Sequence, residues 1–498
     1  MYECRVENRA LEFPVILQVV LLERTHVVNI PFSVNSGTST VTQAIISTAE
    51  SAMAHQKSAC ISDLPNELLT QILQSVPSNY NEQCKAFSAM SMVNRHFQSI
   101  VTPLLYRNFQ DCCAKHLQLF GQTVLSDKTL AELVKQYEGR RAGLVFNDSA
   151  QDCPLAWNAF VLDHALEKTV TEQLPSMPTP ITRAVFSHAL TCVLPGLQRL
   201  DVTNGGNALL QHLSRLNVQL SAPFQHLHTL SIAVEPDRAY KMHELSLLFM
   251  LPSLKVLSID MAALNDEEVQ NSEPIHTLWC CSPRSSTVRK LALQRCGLPA
   301  SWIAEVILSC QILRHFHHEH YYWDNNTNYY PHIVQALTVH QETLSDIRLT
   351  ELNGCKVDSS RRSDPPIPIS FRQFTSLTHL DIPLFSFGTR THHSAIDILL
   401  PGSLHVLTVD VRSTREGFSD DFFISLVEAA SHHLTEMRSV EIICRIEDYL
   451  EEGFLPLHFC HLRRMFHGHG IELAYSLEFV QCEFKAGKTT PASIPLDY

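Results

Sequence analysis

Apolar residues recur along this chain at two different periods, and the change of period divides it. Leu64, Leu68 and Ile72 recur every four residues, with Leu69 and Leu73 beside them, which lays an apolar stripe along one face of a helix. Pro65 stands where a first helical turn tolerates proline, and Glu67 suits the positive end of the helix dipole. After the polar stretch Pro77-Ser-Asn-Tyr-Asn-Glu82, the residues Ala86, Met90, Val93, Phe97 and Ile100 recur at steps of four and three, which predicts a second helix. Pro103 punctuates, and Leu104, Leu105 and Phe109 begin a third short helix. Such a small helical unit is marginal alone and commonly leans on a partner.

Further on the period shortens and a phrase L-x-x-L-x-[LIV] returns. It reads Leu197-Gln-Arg-Leu-Asp-Val202, Leu227-His-Thr-Leu-Ser-Ile232, Leu254-Lys-Val-Leu-Ser-Ile259 and Val288-Arg-Lys-Leu-Ala-Leu293. It continues as Leu344-Ser-Asp-Ile-Arg-Leu349, Leu377-Thr-His-Leu-Asp-Ile382, Leu404-His-Val-Leu-Thr-Val409 and Met437-Arg-Ser-Val-Glu-Ile442, with Leu313-Arg-His-Phe-His-His318 as a degenerate copy. The copies lie roughly 25 to 34 residues apart, near and above the leucine-rich-repeat range. Helical stretches are expected between them, as at Ala300–Ser309 and at residues 420–430. A strand and a helix, repeated, stack into a solenoid with a parallel sheet. The expected fold class is therefore α/β, three short helices followed by such a solenoid.

Side chains alternate along a strand, so the polar positions of each phrase face outward. They include Arg199, Asp201, Asp260, Lys290, Gln294, His315, His317, Asp346, Arg348, His379, Asp381, Asp410 and Glu441. Acidic residues outnumber basic ones, and a target with a basic or mixed surface is expected there. The alternative for each is a solvated polar residue on an unused face.

The expected domains are an N-terminal extension (1–57), a three-helix module (58–109), a helical connector (110–180), the repeat region (181–484) and a tail (485–498). Residues 13–22 read as a strand. Residues 128–137 and 156–167 read as helices in the connector. Asp358-Ser-Ser-Arg-Arg-Ser-Asp-Pro-Pro366 reads as an exposed insertion.

The 498 residues carry a formal charge of −13, which argues against a general nucleic-acid binder. The 15 cysteines are scattered with no C-x-x-C pair, as expected of reduced thiols in the cytoplasm or nucleus. The apolar stretch at 13–22 is too short to span a bilayer, so no membrane association is expected. No P-loop, nucleophile elbow or H-E-x-x-H occurs. His315-Phe-His317-His318-Glu-His320-Tyr-Tyr322-Trp323-Asp324 concentrates imidazoles. On a strand, His315, His317 and Glu319 share one face, and His318 and His320 the other. Neither a metal nor another cofactor is expected, and the favoured reading is a His- and aromatic-rich contact patch.

Leu64-Pro65-Asn66-Glu67-Leu68-Leu69, continuing to Ile72-Leu73, resembles the opening of an F-box. Met92-Val93-Asn94-Arg95-His96-Phe97 resembles its second signature, with Phe97 where many members carry Trp. Pro103-Leu-Leu-Tyr-Arg-Asn-Phe109 resembles the extension common in fungal members. The resemblance implies a non-catalytic receptor of an SCF-type cullin–RING ubiquitin ligase. Its F-box would bind a Skp-family adaptor, and through it a cullin, by Leu64, Pro65, Leu68, Ile72, Val93 and Phe97. The repeat face would hold a target protein, with His315, His317, Tyr322, Trp323, Arg348, His379, Asp381 and Asp410 as candidates. The rivals are a scaffold that binds the adaptor without any role in ubiquitylation, and a metal-dependent hydrolase using His315 to His320.

Overall fold

The computed structural model describes residues 64–74, 80–111, 114–139, 190–191, 194–202, 224–233, 242–260, 279–321, 329–352, 368–387, 396–411, 420–445 and 455–478. The strand expected at 13–22, the helix at 156–167, the insertion around Asp358, the tail, and Tyr322 with Trp323 lie outside them. The chain divides into two compact units, residues 1–110 and 111–498.

The described residues of the first unit form three helices, α1 (Asn66–Gln74), α2 (Tyr80–Ser91) and α3 (Arg95–Arg107). The apolar run expected as one helix over 86–100 is broken at Asn94. The Asn94 side chain accepts the Phe97 backbone N–H at 2.8 Å and caps a new helix. The stretch from Leu104 continues that helix, with Pro103 inside it. Leu69, Leu73, Phe87, Met90, Phe97, Ile100 and Val101 form the core, and Leu64, Val93, Leu104 and Leu105 pack on its margin.

The first strand, β1 (Asn108–Asp111), lies at the division between the units. There follow α4 (Ala114–Ser126), α5 (Lys128–Leu133), β2 (Gln136–Gly139), β3 (Arg199–Val202), β4 (Thr229–Ala233), α6 (Met242–Phe249), β5 (Val256–Asp260) and β6 (Lys290–Cys296). Next come α7 (Ala300–Ser309), β7 (His315–Tyr321), α8 (Tyr329–Leu337), β8 (Asp346–Leu352), β9 (His379–Pro383), α9 (Ile396–Leu399) and β10 (Val406–Asp410). The described part ends with α10 (Asp420–His432), β11 (Ser439–Arg445), α11 (Leu455–Gly468) and β12 (Glu472–Glu478). Among the described residues, β2 to β12 lie in chain order in one sheet. Every registered pair from β2 to β12 is parallel.

Each copy of the repeated phrase is a strand of this sheet. The fourth-position residues Leu200, Leu230, Leu257, Leu291, Phe316, Ile347, Leu380, Leu407 and Val440 align rung to rung and are buried. Full burial of such a side chain contributes about 1.5–3 kcal/mol, so the row is a large part of the core. The second position supplies the backbone ladder. The carbonyls of Lys135, Gln198, His228, Lys255, Arg289, Arg314, Ser345, Thr378 and His405 each accept two N–H groups from the next repeat. The helix expected over 128–137 is helical at Lys128–Leu133 (α5), and its last two residues instead begin strand Gln136–Gly139 of the sheet. There the phrase is diluted to Val134-Lys-Gln-Tyr-Glu-Gly139, with Val134 and Tyr137 buried in place of leucine.

Candidate functional site

The half-exposed side of β6 to β9 carries two polar rows set by the register. Lys290, His315, Asp346 and His379 align in one row, and Ala292, His317, Arg348 and Asp381 in the next but one. The structure thus brings together five target candidates of the sequence reading: His315, His317, Arg348, His379 and Asp381. Asp346 organises them. It accepts from the Arg348 guanidinium in a fork, Nε to Oδ1 at 3.1 Å and Nη2 to Oδ2 at 3.3 Å, and its Oδ2 lies 3.8 Å from His315 Nδ1. His379 Nδ1 is bonded to the Thr378 hydroxyl at 2.8 Å. Burial first, and then the positive charge of Arg348, push the His317 imidazole below its ordinary range. This surface sets three imidazoles beside a paired Arg–Asp fork, suited to hydrogen bonding and contact.

Asp410 departs from the expectation. It aligns with Ile443 and Pro383 and is only 2% exposed, so it is not an open contact residue. Asp260, another expected outward residue, is also buried, and there the reason is visible. The register slips between Leu293 and Cys296, so two residues of β6 face one of β7, a β-bulge. Arg295 sits in the bulge at φ 50°, and its guanidinium forks onto both carboxylate oxygens of Asp260. The Arg295 backbone N–H is held by Glu319 Oε2 at 3.2 Å.

The histidine cluster is split by the pleat. His315, His317 and Glu319 are half-exposed, whereas His318 and His320 are buried on the opposite side. His318 occupies the phrase's sixth position, which is Val, Ile or Leu in every other copy. Its Nε2 meets the Tyr329 hydroxyl at 2.8 Å, and His320 packs on the same ring at a centroid distance of 4.1 Å, tilted by 35°. Burial drives both imidazoles toward the neutral form, His320 down to about 4. Among the described residues, no three His, Cys, Asp or Glu side chains are grouped to hold a metal ion.

In the first unit the candidate residues divide between core and surface. Phe97 is buried at 1% exposure, and Leu64 and Val93 pack partly against the core. Ile72 is half-buried, while Pro65 is exposed and Leu68 is 46% exposed. Sequence reasoning missed Met92, the most exposed large apolar side chain described, at 84%. Its position in the Met92-Val93-Asn94 corner between α2 and α3 is the signal: a corner residue has no neighbouring turn to cover it.

Compared with protein-family models and with curated proteins, the chain gives no match. No described helix is long and apolar enough to cross a membrane.

Proposed function

We propose that this chain is a non-catalytic substrate receptor of an SCF-type cullin–RING ubiquitin ligase, acting in the cytoplasm or nucleus. The helices of the first unit dock a Skp-family adaptor, and the strand rows of the second unit hold a target protein. The protein's contribution to rate is proximity, bringing a target to the ubiquitin-loaded enzyme.

The observation that carries this reading is the division of the F-box-like motif. Its Leu69, Leu73 and Phe97 fill a small core, while Pro65, Leu68 and Met92 remain at the surface. Among the described residues Leu68 and Met92 stay uncovered beside that core, an arrangement suited to a partner that covers them. The leucine-rich-repeat-like reading of the second unit rests on nine copies of one phrase, each lying on one strand of a parallel sheet.

The test is affinity purification of the full chain followed by mass spectrometry. Recovery of a Skp-family adaptor together with a cullin supports the receptor. Recovery of the adaptor without a cullin favours the scaffold, and recovery of neither overturns both. The hydrolase reading is disfavoured by the separation of the histidines onto opposite sides of β7.

A further inference from the structure

Three neighbouring rungs of the sheet carry exposed or half-exposed cations that nothing in the described structure neutralises. The Arg289 N–H donates to the Lys255 carbonyl at 2.8 Å, and the Arg314 N–H donates to the Arg289 carbonyl at 2.8 Å. Lys255, Arg289 and Arg314 therefore leave the backbone from consecutive rungs, about 4.8 Å apart. Lys290 follows Arg289 and aligns with His315. The row is flanked on one side by His228, whose carbonyl accepts the Lys255 N–H at 2.8 Å. None of the residues at the second and third phrase positions from β4 to β7 is acidic. Among the described residues, Lys255, Arg289, Lys290 and Arg314 make no ion pair.

This arrangement costs folding free energy, because like charges on facing strand positions repel. It occurs on a chain with 51 acidic and 38 basic residues, which has carboxylates to spare. The acids of these and the adjoining strand are engaged elsewhere: Asp346 with Arg348, Asp260 with Arg295, and Glu319 with the Arg295 backbone N–H. The polar face is thus segregated, and its free charge at β5 to β7 is positive.

We infer that the row Lys255–Arg289–Lys290–Arg314 is a docking site for an acidic, extended segment of a protein partner. The inference rests on the reading of the second unit as the target-holding part. Two guanidiniums on adjacent rungs offer forked donors that match carboxylate or phosphate oxygens, and the lysines supply point charge. The rungs span about 10 Å, the reach of three or so extended residues. A protein segment fits better than nucleic acid, because the row contains no aromatic platform for bases and the whole chain is negative.

The experiment measures binding of labelled probes to the full chain by fluorescence anisotropy at low and high salt. The probes are a short poly-glutamate peptide, a phosphoserine peptide, a poly-glutamine peptide of equal length and a single-stranded RNA. The glutamate and phosphoserine arms distinguish the source of the anionic oxygens, and binding of either supports the site. Affinity should fall with salt and drop at least tenfold in Arg289→Glu with Arg314→Glu. Arg463→Glu with Arg464→Glu, an equal charge reversal at exposed positions of α11, should leave it unchanged. Arg289→Gln with Arg314→Gln gives a milder loss if the reversal unfolds the sheet, as its melting curve would reveal. RNA binding as tight as either peptide, equal binding of poly-glutamine, or equal loss in the α11 variant would overturn the inference. Adaptor recovery is measured in the same samples. Its absence with peptide binding intact would count against the receptor reading alone.

Discussion

His318 donates from Nε2 to the Tyr329 hydroxyl oxygen at 2.8 Å, because that hydroxyl gives its own proton to the Leu298 carbonyl, also at 2.8 Å. A carbonyl only accepts, so the tyrosine has no second proton and the imidazole must supply one. The one polar residue at the sixth position of the nine phrase copies is thus a neutral histidine with a fixed tautomer.

An acid-labile centre follows. An unfolded histidine titrates near 6.5, whereas burial lowers His318 far below that and His320 to about 4. As pH falls from about 6.5 toward 4, the unfolded chain takes up protons that the folded core refuses, and stability is lost across that window. His320 alone corresponds to about 3 kcal/mol. His318→Leu restores the apolar ladder and leaves the Tyr329–Leu298 bond in place. Its melting temperature should fall less steeply between pH 6.5 and 4 than that of the parent. Parallel curves from calorimetry would assign the acid lability to other groups.

The first unit separates a surface from a core in adjacent leucines. Leu68→Ala with Pro65→Ala removes exposed side chains, so it should release the adaptor in pull-downs while the circular dichroism spectrum stays unchanged. Leu69→Ala, at 1% exposure, should cost about 2–5 kcal/mol and melt the unit itself. Met92→Ala should behave as Leu68→Ala does. Full adaptor recovery by the Pro65/Leu68 variant would remove these residues from the interface.

The fork between Arg295 and Asp260 is an ion pair with one largely buried partner, the Asp260 side chain being 7% exposed. Arg295→Ala leaves that carboxylate uncompensated and should cost about 3–5 kcal/mol in denaturant unfolding. Arg295→Met with Asp260→Asn should recover most of the loss. Charge reversal at buried Asp410 should likewise lower stability, whereas reversal at half-exposed Asp381 should change partner capture and its salt dependence.

The two Leu-Pro-Gly turns differ in their need for glycine. A Cβ on Gly196 would sit 2.5 Å from the Glu132 carbonyl oxygen and 2.5 Å from Lys135 Nζ, so the backbone must move. At Gly402 the nearest atom would be the His433 carbonyl oxygen at 3.3 Å. Gly196→Ala should therefore destabilise by about 1–3 kcal/mol, and Gly402→Ala by much less. Thermal melts of the two variants, compared side by side, check the contrast.

The nine repeat strands were legible in the sequence because a six-residue phrase with alternating apolar positions states locally which side chains face inward. The helices Ala300–Ser309 and Asp420–His432 were legible for the same reason, at a longer period. Strands β2 and β12 were not: β2 has Val134 and Tyr137 at its buried positions, and β12 keeps Leu473 on the Val440 rung but has Gly470 and exposed Tyr475 where the phrase has apolar first and sixth positions. Nor did periodicity choose between Leu68 and Leu69, which differ by one helical step, until α3 supplied the core that covers Leu69. The functional face depended still more on tertiary structure. Alternation alone gives Asp260, Asp410 and Arg348 the same outward setting. Burial of Asp410, the Arg295 fork onto Asp260 and the Asp346 fork with Arg348 depend on register across strands whose copies of the phrase lie tens of residues apart. The unpaired row Lys255–Arg289–Arg314 arises in the same way: three ordinary surface cations in the sequence become neighbours only when the backbone ladder sets them on consecutive rungs.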